Sequence, residues 1–209
     1  MRNYIIIIYY LQMFRNLILI QEIHKIHNDY YETSKKTFFF KKSQKIESAE
    51  NIISKIPLDE LIQCSIYDIP NTNKLYFDYI VFKMYASPSN YKKIIQYMIV
   101  KIQEIIHIYG NFEMHMNIKS FTVSATERYM DAIRLFCNEC YINDEMFSNS
   151  LLQMYIYNTP CGMNTISSMV LKLLSNEIRS KITTISKDNS IECLNNLLQE
   201  EQNYPIFNH

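Results

Sequence analysis

Cys137 and Cys140 have the Cys-x-x-Cys spacing of half a zinc site or of a redox pair. A structural zinc takes four ligands, and neither a second Cys-x-x-Cys nor a histidine pair accompanies this one. Both thiols fall on the apolar stripe of an expected helix, where cysteine behaves as a small hydrophobe. Cys161 differs, because it sits between Pro160 and Gly162 at a strand-to-helix turn, where a helix N-terminus can activate a nucleophile. It lacks the flanking glycine frame, and no histidine can be assigned as its base. His24 and His27 stand three apart without carboxylates to complete a metal site, His107 falls late in a helix, and His115 lies on the polar side of a strand. All four read as structural. With two glycines in 209 residues, a phosphate-cradling loop is excluded, and no dinucleotide fingerprint or paired-carboxylate motif is visible. The expectation is a protein that is not an enzyme, with no catalytic residue, no metal ligand and no cofactor.

Bulk composition narrows the partners. Hydrophobic residues make up 48% of the chain and charged residues 20%, ordinary for a globular domain. Lys+Arg and Asp+Glu are both 21, and a dedicated nucleic-acid binder is visibly basic, so no nucleic-acid partner is expected. The five cysteines are scattered at 64, 137, 140, 161 and 193, which is no disulfide framework and points to a reducing, cytoplasmic setting. Heavy use of Ile, Asn, Lys and Tyr, with no Trp, suggests an A/T-rich genome such as that of a large DNA virus, with the host cytoplasm or the virion as location.

The elements that would position these residues are readable from periodicity. Residues 4–20 are mostly apolar but interrupted by Gln12, Arg15 and Asn16, leaving three readings open: a packed extension, a membrane anchor, or a signal or mis-assigned start. In residues 30–56 five lysines flank Phe38-Phe39-Phe40, which reads as a connector with a short strand, or as a basic-aromatic contact with an anionic membrane surface. The expected organisation is an extension and connector over 1–57 and an α/β domain over 58–209, with no helical bundle ahead of it.

Strands are expected over 61–69 and 75–85, paired as a hairpin. A helix follows from Ser87-Pro88-Ser89 to Gly110, where a positive φ should end it. Residues 111–119 alternate, with Phe112, Met114, Met116 and Ile118 on one side and Glu113, His115, Asn117 and Lys119 on a polar, solvated one. Ser124 and Glu127 form a capping box for a helix through Cys140. Residues 151–186 read as a strand stopped at Asn158-Thr159-Pro160, an amphipathic helix over 164–174, and a short strand, in other words a parallel crossover. Ser190 should cap a last helix that stops before Pro205.

This order resembles the CRAL-TRIO lipid-binding family. The resemblance lies in Met114-His115-Met116-Asn117-Ile118 as the central strand, residues 124–140 as the following helix, and Asn158-Thr159-Pro160 as the strand-end turn. Lys172, Lys181-Ile182 and the closing stretch from Leu194 to Pro205 complete it. Asn117 stands where the family commonly has Asp, Leu173 where Pro is frequent, and a later glycine pair is missing. The resemblance implies a layered α/β domain with a mainly parallel five-stranded sheet and flanking helices. It implies a non-catalytic module that binds a lipid or other hydrophobic small molecule under a mobile helix after Pro160. Met163, Ile166, Met169, Val170 and Leu173 would face that ligand, and Asn158 and Pro160 would form the turn. The alternative is a protein-interaction or virion component that keeps the fold with no open pocket. Peripheral membrane contact would fall to the N-terminal segment.

Overall fold

The computed structural model describes residues 2–33, 41–142 and 144–199. They divide into two compact units: a helical unit drawn from the residues up to 65 together with 81–91, and a sheet unit drawn from 66–80 and from 92 onward. The helical unit begins with α1 (Arg2–Thr33), α2 (Lys41–Ile53) and α3 (Leu58–Ser65). Leu19, Ile23 and Ile26 of α1 are buried at helical spacing, as are Ala49 and Ile52 of α2 and Leu61 and Ile62 of α3. Helix thus occupies most of the expected connector and provides the N-terminal helices that the sequence did not suggest. The reason is legible afterwards: residues 4–20 are mostly apolar and broken only by Gln12, Arg15 and Asn16, which gives no clear helical period. Phe38, Phe39 and Phe40 lie outside the described residues. No helix among the described residues is long and apolar enough to cross a membrane.

Residues 61–65, expected as strand, form the end of α3. Pro57 accepts from the amides of Glu60 and Leu61, and Asp59 and Glu60 place negative charge in the first turn, where the helix dipole favours it. The strand expected over 75–85 also stops early, becoming α4 (Tyr79–Tyr85). Asp78 causes this, its Oδ1 accepting the Ile80 amide at 2.7 Å in the manner of an N-cap.

The sheet unit holds β1 (Ile66–Asp68), β2 (Lys74–Asp78), β3 (Phe112–Asn117), β4 (Leu151–Thr159) and β5 (Ile182–Ser186), side by side in chain order. β1 and β2 form the expected antiparallel hairpin, with Tyr67 opposite Tyr76, and β2 to β5 run parallel. The chain is therefore an α/β protein with a five-stranded, mostly parallel sheet and flanking helices. Between the parallel strands run α5 (Tyr91–Tyr109), then α6 (Val123–Ile142) and α7 (Asp144–Ser150), then α8 (Met163–Val170), a 3-10 turn (Leu171–Leu173) and α9 (Asn176–Ser180). α10 (Lys187–Gln199) closes the described chain.

Strands laid down in one direction by right-handed crossovers put every crossover helix on the same face of the sheet. On that face Phe147 of α7 meets Phe112 of β3 and Phe136 of α6 edge-on, at 5.2 and 5.9 Å between centroids. The opposite face takes α10, whose Leu197 packs with Ile69, Tyr76 and Tyr157, and whose Cys193 and Leu194 lie against the same group.

Gly110 ends α5 at φ +78, its amide bonded to the Ile106 carbonyl at 2.8 Å, as expected. Two caps differ from expectation. α6 is capped by Thr122, whose Oγ1 accepts the Ala125 amide at 3.2 Å, and Ser124 falls inside the first turn. α10 starts at Lys187, so Ser190 is a first-turn residue that bonds backward to the Ser186 carbonyl. Thr122→Ala should therefore cost about 1 kcal/mol and Ser124→Ala a few tenths at most. Denaturant melts of the two variants check this assignment, and equal losses would contradict it.

Candidate functional site

Three residues of β3 point to the face beneath α10. The expected solvated side is in fact closed: His115 is 3% exposed and Asn117 8%. The alternation of 112–117 was right and the solvent was not, because α10 lies over the polar side. Tyr155 and Tyr157 of β4 bring two aromatic rings alongside. The His115 imidazole stacks on Tyr155 at 4.9 Å and 21° and lies nearly parallel to Tyr157 at 5.9 Å.

The imidazole is hydrogen-bonded through both nitrogens, Nδ1 to the Tyr157 hydroxyl at 2.8 Å and Nε2 to Glu113 Oε2 at 3.3 Å. Burial first, and the charge of Lys74 second, push the His115 pKa down to about 4. A neutral ring carries one hydrogen, and a carboxylate only accepts. Nε2 therefore holds the hydrogen and donates it to Glu113, and Nδ1 accepts from Tyr157. Tyr157, His115 and Glu113 have the connectivity of a nucleophile, a base and the group that orients it. Tyr157 and His115 are both buried, however, so the geometry does not present a reacting oxygen to a substrate. The His115–Tyr157 bond ties β3 to β4, and Glu113 orients the imidazole from its own strand.

Asn117 extends the network. Its Oδ1 accepts from Asn158 Nδ2 at 2.9 Å and from the Lys119 amide at 3.2 Å, and its side chain is hydrogen-bonded to the Tyr76 hydroxyl. Burial is the main reason the Tyr76 hydroxyl resists ionisation. Asn158 stands at φ +57, a left-handed conformation that asparagine tolerates better than most residues, where pairing between β4 and β5 slips between Ile156 and Thr159. Pro160 follows, and its carbonyl accepts the Met163 amide as α8 begins.

The residues expected to face a ligand separate. Ile166 is buried in α8, which packs on α6, while Met163, Met169 and Val170 are half-buried. Leu173 alone of the five lines a cleft, together with Phe136, Cys137, Phe147, Met154 and Ile178. The cleft lies between α6 and the segment from Leu173 to Ile178, beyond the end of α8, and has a volume of about 30 Å³. α9, a short helix capped by Ser175 and absent from the sequence reading, lines one side of it through Ile178.

The five cysteines are free. Burial raises the Cys137 thiol and lifts Cys64 to about 11, which disfavours their thiolates. Cys161 is exposed before α8. Among the described residues no group of three or more His, Cys, Asp or Glu is placed to hold a metal. His24 and His27 are half-buried on α1, and His27 is shifted down chiefly by burial.

Sequence reasoning missed Tyr76, Glu113, Tyr155, Tyr157 and Ser190 as members of one network. The available signal was the apolar side of α10, which required a surface to cover.

A histidine whose folded pKa lies below its unfolded 6.5 takes up its proton more readily in the unfolded chain. Its contribution is complete above that value and is lost as pH falls toward 4, up to about 3 kcal/mol. His115→Gln should lower stability at pH 7 and flatten its decline between pH 6.5 and 4 relative to the native chain. Denaturant melts at a series of pH values check this, and parallel declines would contradict it.

Comparison with protein-family models and with curated proteins returns no match for this chain.

Proposed function

We propose that this chain is a non-catalytic binding module in which the sheet unit serves as a protein-interaction scaffold with its apolar cleft closed. The observation that supports this reading is the volume of the cleft. At about 30 Å³ it has room for one water molecule, whereas sites for drug-sized ligands run to about 300–1,000 Å³. Tyr157 and His115 are buried on the face that α10 covers, with Glu113 partly exposed beside them, and the one exposed cysteine, Cys161, lies outside that network. A virion component of this kind is the alternative that the sequence raised.

Binding of a lipid or other hydrophobic small molecule is the second reading, and one observation favours it. Met163, Met169, Val170 and Leu173 are apolar and only half-buried along α8 and the 3-10 turn that follows. A ligand would enter by displacing that segment from α6, and the flexible thioether of Met169 would adapt to its shape. The resemblance to the CRAL-TRIO family supports this reading, and Asn158 and Pro160 would form its turn.

Native mass spectrometry of the purified chain distinguishes the two. The scaffold reading expects the mass of the polypeptide alone; a stoichiometric hydrophobic adduct would overturn it in favour of ligand binding. Met169→Trp gives a second measure: Met169 is half-buried, so the larger ring should cost little stability in either reading, and loss of a co-purifying hydrophobic adduct with an unchanged melt would support the ligand site.

A further inference from the structure

The slip between β4 and β5 takes the backbone amide of Asn158 out of the ladder, since pairing jumps from Ile156 and Thr184 to Thr159 and Ser186. That amide donates instead to Ser190 Oγ, at 2.7 Å. Ser190 is fully buried in the first turn of α10 and gives its own hydrogen to the Ser186 carbonyl at 2.7 Å. The hydroxyl is thus used as donor and acceptor at once. The Asn158 side chain faces the other way and bonds Asn117 of β3, while Thr159 Oγ1 donates to the Ile185 carbonyl at 3.0 Å. Asn158 is therefore held from β3, and from α10 through its amide.

From this point the chain crosses the edge of the sheet. Tyr157 belongs to the face under α10, and Met154 to the face that carries α6 and α9. Pro160 restricts the backbone on one side of the turn. Gly162 starts α8 beside α6, where an added Cβ would lie at an ordinary contact distance, 3.4 Å, from Val123 Cγ2. Between Asn158 and α8 the chain is tied by Thr159 to the Ile185 carbonyl and by the Pro160 carbonyl to the Met163 amide, so the φ of Asn158 sets the direction in which α8 leaves the sheet.

We propose that this junction couples the two faces: seating of α10, through Ser190, holds Asn158 in its left-handed conformation and thereby holds α8 against α6. Loss of the Ser190 acceptor takes the partner from a part-buried amide, and the residue gains by relaxing toward negative φ. That rotation carries Thr159, Pro160 and the first turn of α8 with it. Any partner that lifts α10 would loosen α8 on the opposite face, and any that displaces α8 would loosen α10, because coupling between two sites is reciprocal.

Hydrogen exchange read by mass spectrometry on the full chain tests this. In Ser190→Ala, peptides covering residues 161–174 should exchange about tenfold faster, although the hydrogen bonds of Ser190 run to Asn158, Ile185 and Ser186, while peptides of β3 stay within about twofold. Acceleration confined to residues 187–199 would overturn the proposal, as would an equal factor in every peptide, which reports loss of global stability. Should Ser190→Ala fail to fold, the pair Asn158→Gly and Asn158→Ala serves. Glycine accepts a positive φ and alanine resists it, so residues 161–174 should exchange faster in the alanine variant than in the glycine one. Equal exchange in the two would overturn the coupling.

Discussion

A histidine and an asparagine occupy neighbouring inward positions on the central strand β3, and a helix lies over them. Polar groups taken out of water must find partners, at a cost of about 1–3 kcal/mol for each that does not. That obligation organises this side of the molecule. His115 requires a donor and an acceptor, and Tyr157 and Glu113 supply them. Asn117 requires partners at both ends of its amide, and Tyr76, Asn158 and the Lys119 amide supply those. β2, β3 and β4 are thereby fixed in one register, since a slip of one residue would turn every one of these groups to the other face.

The winding of the sheet explains why a helix is needed there. Strands placed in chain order by crossovers of one hand leave one face bare. α10 fills it, with Leu194, Leu197 and Cys193 against the tyrosines. The Tyr157, His115 and Glu113 group resembles a catalytic arrangement in its connectivity and differs in its access. With Tyr157 and His115 buried, the hydrogen bond between them ties β3 to β4.

Five strands, their mainly parallel order and the antiparallel first pair could be read from the sequence because alternation and turn residues are local signals. The stop at Asn158-Thr159-Pro160 and the glycine at the end of α5 were legible for the same reason. What escaped reading depended on distant contacts or on short-range competition. The acidic first turn of α3 carries the apolar stretch 61–65 into helix, and Asp78 turns the β-branched, aromatic run 79–85 into helix, so both were misassigned as strand. Thr122 and Ser124 are both good caps, and composition does not choose between them. The apolar start of α1, broken at Gln12, Arg15 and Asn16, gives no clear helical period in the sequence. The face of β3 that looked solvated was buried by a helix some seventy residues later in the chain, and only the tertiary structure supplies that cover. The residues expected to meet a ligand were placed from resemblance, and of them only Leu173 reaches the apolar cleft.

The claim on which the rest depends is that α10 seals a neutral His115 between Tyr157 and Glu113. Nitrogen-resolved NMR of the imidazole in the folded chain at pH 6 tests it directly. The account expects a neutral ring with its hydrogen on Nε2, Nδ1 accepting, and an Nε2–H protected from exchange with water. An imidazolium, or a neutral ring with its hydrogen on Nδ1, would contradict it.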